Sequence, residues 1–275
     1  MQAMLGESAN LVREGDRRST RDLSTLDPRL QVRSVSAGRQ LVDVSFEARP
    51  GEVLGVVALE GQGQDTLFEA LAGERRFDGG DVLVDGKPLV ARHPATAIDR
   101  GVVLVPSDRA TALLPQRSIE ENLGLPLHHR LRSWGPIPLR SVRAKVNDAI
   151  ERMSIDTRAA AQARRLSGGN QQKLTIGRWL SGGFETLLLF DPTRGIDIGT
   201  KHQIYDLIRE VADQGAAVVM YTSELREIPI VADRVVVLYR GRIVAELATD
   251  VGDEALLSAA HGLTRETGKD MEVGR

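Results

Sequence analysis

The sequence predicts an α/β fold, a mainly parallel sheet with helices on both faces, carrying an antiparallel edge sheet and a helical insertion at about residues 112–165. Three observations point there. Short runs rich in Val, Ile and Leu alternate with stretches whose apolar residues recur at helical spacing. A Gly-rich turn at residues 60–66 joins one such run to one such helical stretch. Near the start, two runs of period two are followed by a third that ends in Asp85 and Gly86, the composition of a tight hairpin.

Taken in order, residues 7–28 carry Arg, Asp, Glu, Ser and Thr without an apolar period, so residues 1–29 read as a polar linker or arm. The fold begins near Leu30. Leu30, Val32 and Val35, then Leu41, Val42, Val44 and Phe46, mark two strands about a turn at Ala37 and Gly38. Pro50 and Gly51 turn the chain into a buried strand at 53–59, and the Gly-rich turn leads to a helix with Leu67, Ala70 and Leu71 on one face, ended by Gly73. Residues 81–84 with Asp85 and Gly86 add a hairpin to the first two strands. Residues 102–105 are a short buried strand, followed by a loop over 106–117. Val142, Val146, Ala149, Ile150 and Met153 then lie on one face of an amphipathic helix. A helix opens at Ser167 and continues to Leu180. The strand 187–190 precedes a helix marked by Ile204, Leu207, Ile208 and Val211, which ends at Gly215. Residues 216–221 form a strand and 224–228 a short helix interrupted by Pro229. Strands 234–239 and 242–246 flank the turn at Arg240 and Gly241. The domain is expected over 30–247 and a tail over 248–275, polar from Gly262 onward.

Composition narrows the function. The 275 residues suffice for one sizeable core, and 36 basic against 38 acidic side chains give a net charge of −2. No electrostatic case for a nucleic-acid partner arises from that balance. With no cysteine, disulfides and thiolate metal sites are excluded. The longest apolar runs fall far short of the ~20 residues that span a bilayer. The polar, mixed-charge start is not the pattern of a secretory segment, so any membrane role is expected through a partner.

The chemistry centres on Leu166, Ser167, Gly168, Gly169, Asn170, Gln171 and Gln172. Ser167 is a good helix cap, the glycines allow close backbone approach, and the free amides of a helix start favour phosphate. A capped helix start is the commoner meaning of a bare Ser-Gly-Gly. Here the Gly-rich turn lies upstream and a hydrophobic run ending in Asp191, Pro192 and Thr193 lies downstream, the order of a phosphate-binding α/β ATPase. With that context the stretch resembles the signature of ABC-type ATPases, and its ending with Lys173 resembles the tandem ATP-binding subunits of bacterial monosaccharide and nucleoside importers. The resemblance covers about residues 30–247. It implies a P-loop NTPase fold of the ABC nucleotide-binding type, with an antiparallel β subdomain and a helical signature subdomain. Met4, Leu5 and Gly6 before a charged linker resemble the joint after the first half of a tandem subunit.

The family pattern is present in order but altered in content. A working phosphate loop reads G-x-x-x-x-G-K-[ST], with Lys neutralising phosphate and the hydroxyl holding Mg²⁺. Here Ala58 and Leu59 lead into Glu60, Gly61, Gln62, Gly63, Gln64, Asp65 and Thr66, so Gln64 stands where the lysine would be and Asp65 where the hydroxyl would be. Asp65 is a candidate Mg²⁺ ligand in compensation. Aligned by resemblance, Phe190 takes the place of the metal-supporting Asp, and Asp191 that of the catalytic Glu. Ser223 replaces the γ-phosphate histidine, and Ser107 the glutamine that senses metal and water. The signature is intact, and Gly195, Ile196 and Asp197 keep the loop that meets the opposing domain.

The resemblance therefore implies ATP and Mg²⁺ as cofactors and two unequal composite sites. This chain's signature completes a competent site on a second nucleotide-binding domain, and its own loop forms a degenerate one. Further implied partners are transmembrane permease subunits, contacted through the region after Val105, and indirectly a periplasmic sugar-binding protein. The implied location is peripheral, on the cytoplasmic face of the plasma membrane. The competing readings are a non-catalytic adaptor that binds an ABC partner without nucleotide, and a soluble ABC protein acting on ribosomes or DNA. The neutral charge weighs against the latter.

Overall fold

The computed structural model describes residues 23–130, 139–155 and 162–263. Most of the expected arm, with the Met4, Leu5, Gly6 joint, and the tail from 264 lie outside the described residues. β1 (Leu30–Ala37) and β2 (Leu41–Ala48) pair antiparallel. The apolar spacing of β1 changes from two to three between Val32 and Val35, and a register shift there, with Ser34 at φ 50°, absorbs the extra residue and keeps both side chains inward. β3 (Val53–Val57) is buried along its length, and α1 (Gln64–Leu71) follows the Gly-rich turn. β4 (Gly79–Val84) and β5 (Lys87–Pro88) close the hairpin through Asp85 and Gly86, at φ 48° and 71°, the positive pair that a two-residue turn needs. α2 (Pro94–Asp99), which the apolar pattern does not mark, starts on Pro94 with the His93 side chain accepting from Ala95 N at 3.2 Å.

β6 (Val102–Val105) leads into the helical insertion of α3 (Arg109–Ala112), α4 (Ile119–Arg130) and α5 (Leu139–Arg152). Ser118 and Glu121 form a reciprocal capping box at the start of α4, at 3.0 and 2.8 Å. Then come α6 (Gly168–Gly182), β7 (Thr186–Phe190), α7 (Ile198–Asp213), β8 (Ala217–Tyr221), α8 (Ile228–Val231), β9 (Arg234–Tyr239), β10 (Arg242–Ala248) and α9 (Asp253–Ala260). Two expectations change. Pro229 sits in the first turn of α8, where its missing N–H costs nothing, so it opens that helix rather than interrupting it. The segment after 247 is more than a tail, because α9 packs Leu256, Ala259 and Ala260 into the core.

The strands form two sheets among the described residues, one four-stranded in the order β2-β1-β4-β5 and one six-stranded in the order β10-β9-β3-β8-β7-β6. In the larger, β9, β3, β8, β7 and β6 run parallel and β10 is antiparallel at the edge. Its two faces feed two cores through the period-two alternation of each strand. Val53, Val57, Leu187, Leu189, Val218 and Met220 face the helices α4 to α8. Leu54, Val56, Leu188, Val219 and Tyr221 face α1 and the antiparallel sheet. The parallel strands therefore deliver residues 58, 106, 191 and 222 to one edge, where open α/β sheets bind ligands.

Candidate functional site

The loop leaving β3 is held by neighbours rather than by its own residues alone. Gly63 caps α1 at φ 106°, and a Cβ there would fall 2.3 Å from the Gln40 carbonyl oxygen, so the position admits only glycine. Gln62 anchors the turn between β9 and β10, its side-chain oxygen accepting from Arg240 N at 2.6 Å and its carbonyl from Gly241 N at 3.0 Å. Thr66 donates its hydroxyl to Gln40 Oε1 at 2.6 Å. Gln62 and Thr66, expected at phosphate, thus also serve the framework. Gln64 is 2 % exposed, and its Oε1 accepts from Gln62 N at 3.0 Å. Glu60 and Asp65 are exposed.

Beside this loop, register places Tyr221 opposite Val56 on one side and Phe190 on the other. The Phe190 ring lies 4.8 Å from that of Tyr221 and 5.3 Å from that of Phe68, edge-on to the latter. Burial pushes the Tyr221 hydroxyl up, reinforced by the charges of Asp191 and Asp65 and eased by a hydrogen bond with Gln64. Asp191 is 4 % exposed and held at φ 51°. Ser223 donates its backbone N–H to Asp191 Oδ1 at 3.2 Å and its hydroxyl to Oδ2 at 2.9 Å. Ser107, half-buried after β6, lines a cavity of about 600 Å³ together with Asp65, Phe68, Phe190 and Arg178. The fold therefore brings Gln64, Asp65, Ser107, Asp191 and Ser223 to one edge.

A Mg²⁺ ion of the kind the family uses does not fit this donor set. Hard cations take oxygen ligands, yet an aromatic ring occupies the central position, and the Asp191 carboxylate is taken up by Ser223. Among the described residues no group of three or more His, Cys, Asp or Glu side chains is placed to hold a metal. Asp65 and Glu60 are exposed carboxylates of the loop, too few for such a site by themselves.

The signature forms a separate surface. Ser167 and Gly168 are exposed, and Ser167 Oγ accepts from Asn170 N at 3.4 Å to cap α6. Gly168 O accepts from Arg109 Nη1 at 3.2 Å. Gly169 is buried because a Cβ there would meet Thr200 Cγ2 at 2.4 Å, so the start of α6 packs on the start of α7. Gln171 donates from its side chain to Leu166 O at 3.1 Å. Asp197 caps α7, accepting from Thr200 N at 3.0 Å and Thr200 Oγ1 at 2.8 Å; the backbone bond first, then the hydroxyl, hold it below the usual carboxylate range. Lys173 is 5 % exposed; burial lowers its pKa and the charge of Asp197 opposes that.

Sequence reasoning missed a buried cluster between these two places. Glu227, 3 % exposed, accepts from the Thr193 hydroxyl at 2.6 Å, the Thr222 hydroxyl at 2.7 Å and Lys201 Nζ at 2.9 Å. Its charge also reaches Tyr205, whose hydroxyl is pushed up by burial and then by this carboxylate. Burial lowers Lys201, and its bonds to Glu224 and Glu227 together with their charges outweigh that and raise it. No local spacing in the sequence marks this cluster, because its members come from three segments, the loop after β7, α7 and the loop after β8.

The family described as ABC transporter matches residues 41–194. This chain belongs to that family. It is 38% identical over 254 residues to the ribose import ATP-binding protein RbsA of Geobacillus kaustophilus, an alignment covering 91% of this chain and 51% of that protein. It is 39% identical over 254 residues to ribose import ATP-binding protein RbsA 1 of Streptomyces coelicolor, covering 88% and 50%. The chain thus spans about half the length of the curated relatives it matches. Among solved structures, a nucleotide-free ATP-binding cassette from an ABC transporter superposes with a TM-score of 0.71 at 22% identity, over 86% of this chain and 96% of that one. The ADP conformation of the ABC cassette MJ1267 gives 0.72 at 22%, over 86% and 95%. The fold is accordingly the ABC-type P-loop nucleotide-binding fold, with its mainly parallel sheet, antiparallel subdomain and helices.

Proposed function

We propose that this ABC chain is an ATP-binding part of a bacterial monosaccharide importer, with nucleosides the nearest alternative, and that it serves mainly by lending its signature to a partner's ATP. The observation that carries the reading is the contrast between its two surfaces. The signature helix start is capped and open at Ser167 and Gly168, whereas the chain's own loop has no lysine and its Asp191 is engaged by Ser223. The ribose-import names of the relatives support the substrate class. ATP and Mg²⁺ belong to the composite site whose phosphate loop is the partner's. There, the amides at the start of α6 and the positive end of the helix favour the γ-phosphate. The pair closes on ATP, reopens after hydrolysis, and transmits the motion to permease subunits through the region after Val105. That places the chain at the cytoplasmic face of the membrane, and no helix among the described residues is long and apolar enough to cross it.

The assembled transporter tests this directly. Ser167→Arg or Gly168→Asp puts bulk or negative charge on the open helix start, and hydrolysis is expected to collapse. Gln64→Ala and Asp191→Asn touch only the chain's own site, so losses stay below ~10-fold, about 1.4 kcal/mol. Assembly is verified and ATP kept saturating throughout. Abolition of turnover by Asp191→Asn, with the signature substitutions tolerated, would invert the assignment.

A further inference from the structure

Resting on the reading of residues 60–66 as this chain's own phosphate loop, three observations converge on what that loop holds. First, the loop amide of Gln62, of the kind that cradles phosphate oxygen in such loops, donates to Gln64 Oε1 at 3.0 Å as the shorter arm of a forked bond whose other acceptor is Leu59 O at 3.3 Å. The acceptor sits on a side chain that is 2 % exposed, enclosed where the turn meets α1. Second, Phe190, tilted against Tyr221 and edge-on to Phe68, stands where a metal-supporting carboxylate is expected. Third, the titratable groups that act on Tyr221 at the mouth of the loop are Asp191, Asp65 and Glu60, all acidic. Arg240 bonds the loop through its backbone N–H while its guanidinium lies 5.2 Å from the Tyr239 ring centroid, and Arg178, in the cavity beside Asp65, donates to Ala112 O.

We infer that Gln64 is a built-in substitute for phosphate: its amide oxygen fills the anion position of the loop, and the chain's own site does not take Mg-nucleotide. A triphosphate entering here displaces a neutral acceptor that is already paired, gains no lysine and no metal bridge, and approaches three carboxylates. Like charges oppose binding, and the charge-assisted bonds that a loop lysine would supply are missing. In return the loop keeps its shape without ligand. Gln62 can then hold the turn at Arg240 and Gly241, and Thr66 can hold Gln40, whatever the nucleotide state of the partner.

Two measurements on the full chain decide the matter. In calorimetric titration with ATP, with MgCl₂ and separately with EDTA, no saturation is expected up to ~1 mM and no gain from the metal. Saturation by Mg-ATP at ~10 μM would overturn the inference. In hydrogen–deuterium exchange without nucleotide, the Gln62 amide is expected to be protected, and Gln64→Ala to speed its exchange ~5-fold, the scale of one ordinary hydrogen bond, with the rest of the core unchanged. An unchanged Gln62 rate in that variant would remove Gln64 from the role. Either failure leaves the signature experiment in the transporter untouched, and failure of that experiment leaves the state of this loop unaltered.

Discussion

Glu227 shows how much of this molecule depends on single side chains. A carboxylate that is 3 % exposed is costly unless its oxygens are paired, and Thr193, Thr222 and Lys201 pair them. The cluster ties the loop after β7 to the loop after β8, the two segments that also carry Asp191 and Ser223. Glu227→Ala leaves the Lys201 amine without its buried partner, so a loss of ~3 kcal/mol is expected, a fall in Tm of about 6–12 °C for a chain of this size. Glu227→Gln keeps most acceptors and is expected to cost less than half of that. Thermal melts of both variants check the order, and a shift under ~2 °C for Glu227→Ala would make the cluster peripheral. The sequence shows none of this, since a lone Glu among Leu, Arg and Ile reads as surface. Asp191 was different: the hydrophobic run ahead of it and Pro192 behind it mark a strand-end carboxylate without any structure.

At the scale of elements, the junction of α6 and α7 is the point where capping chemistry, packing and the signature meet. Asp197 accepts from Thr200 while the adjacent Gly169 lets Thr200 come close to α6. The Asp197 pKa is lowered in the fold, so its contribution is present above the unfolded value of ~3.9 and is lost as pH falls through the folded value. The stability gap between wild type and Asp197→Ala is therefore expected to be constant from neutral pH down to ~5 and to close below ~4. Chemical denaturation at a series of pH values checks this. A gap that persisted unchanged at pH 3 would mean that the cap works without its charge. Element identity was legible wherever periodicity was clean, as in β3, α7 and the hairpin turns. α2 and α4 were harder, because their starts are written in caps, His93 with Pro94 and Ser118 with Glu121, rather than in an apolar stripe. Pro229 misled for the opposite reason: only knowing where a helix begins says whether proline breaks it or opens it.

For the whole molecule, the separation of the signature from the chain's own loop has a direct consequence. On the proposed function each complete site needs two domains, so the isolated chain is expected to be a monomer with turnover well under ~1 s⁻¹, below the ordinary enzyme range. Sizing chromatography and a phosphate-release assay on the purified chain check it. A rate of ~1 s⁻¹ or above from the monomer would defeat the division of labour proposed here.

Family, fold class and the order of the motifs were determined by the sequence alone, because they rest on local facts: hydrophobic period, glycine at turns, a capped signature, and which residue types stand at which spacing. The absence of a lysine at Gln64 and of a carboxylate at Phe190 is equally local. What those replacements do was decided only by the tertiary structure. That Gln64 turns back onto the Gln62 amide, that Phe190 stacks between Phe68 and Tyr221, and that Ser223 donates to Asp191 all depend on strand order, which sets β3, β8 and β7 side by side. A side chain's partners are fixed by what the fold brings within hydrogen-bond reach, about 3 Å, and contacts between residues far apart in sequence leave no periodic trace in the chain.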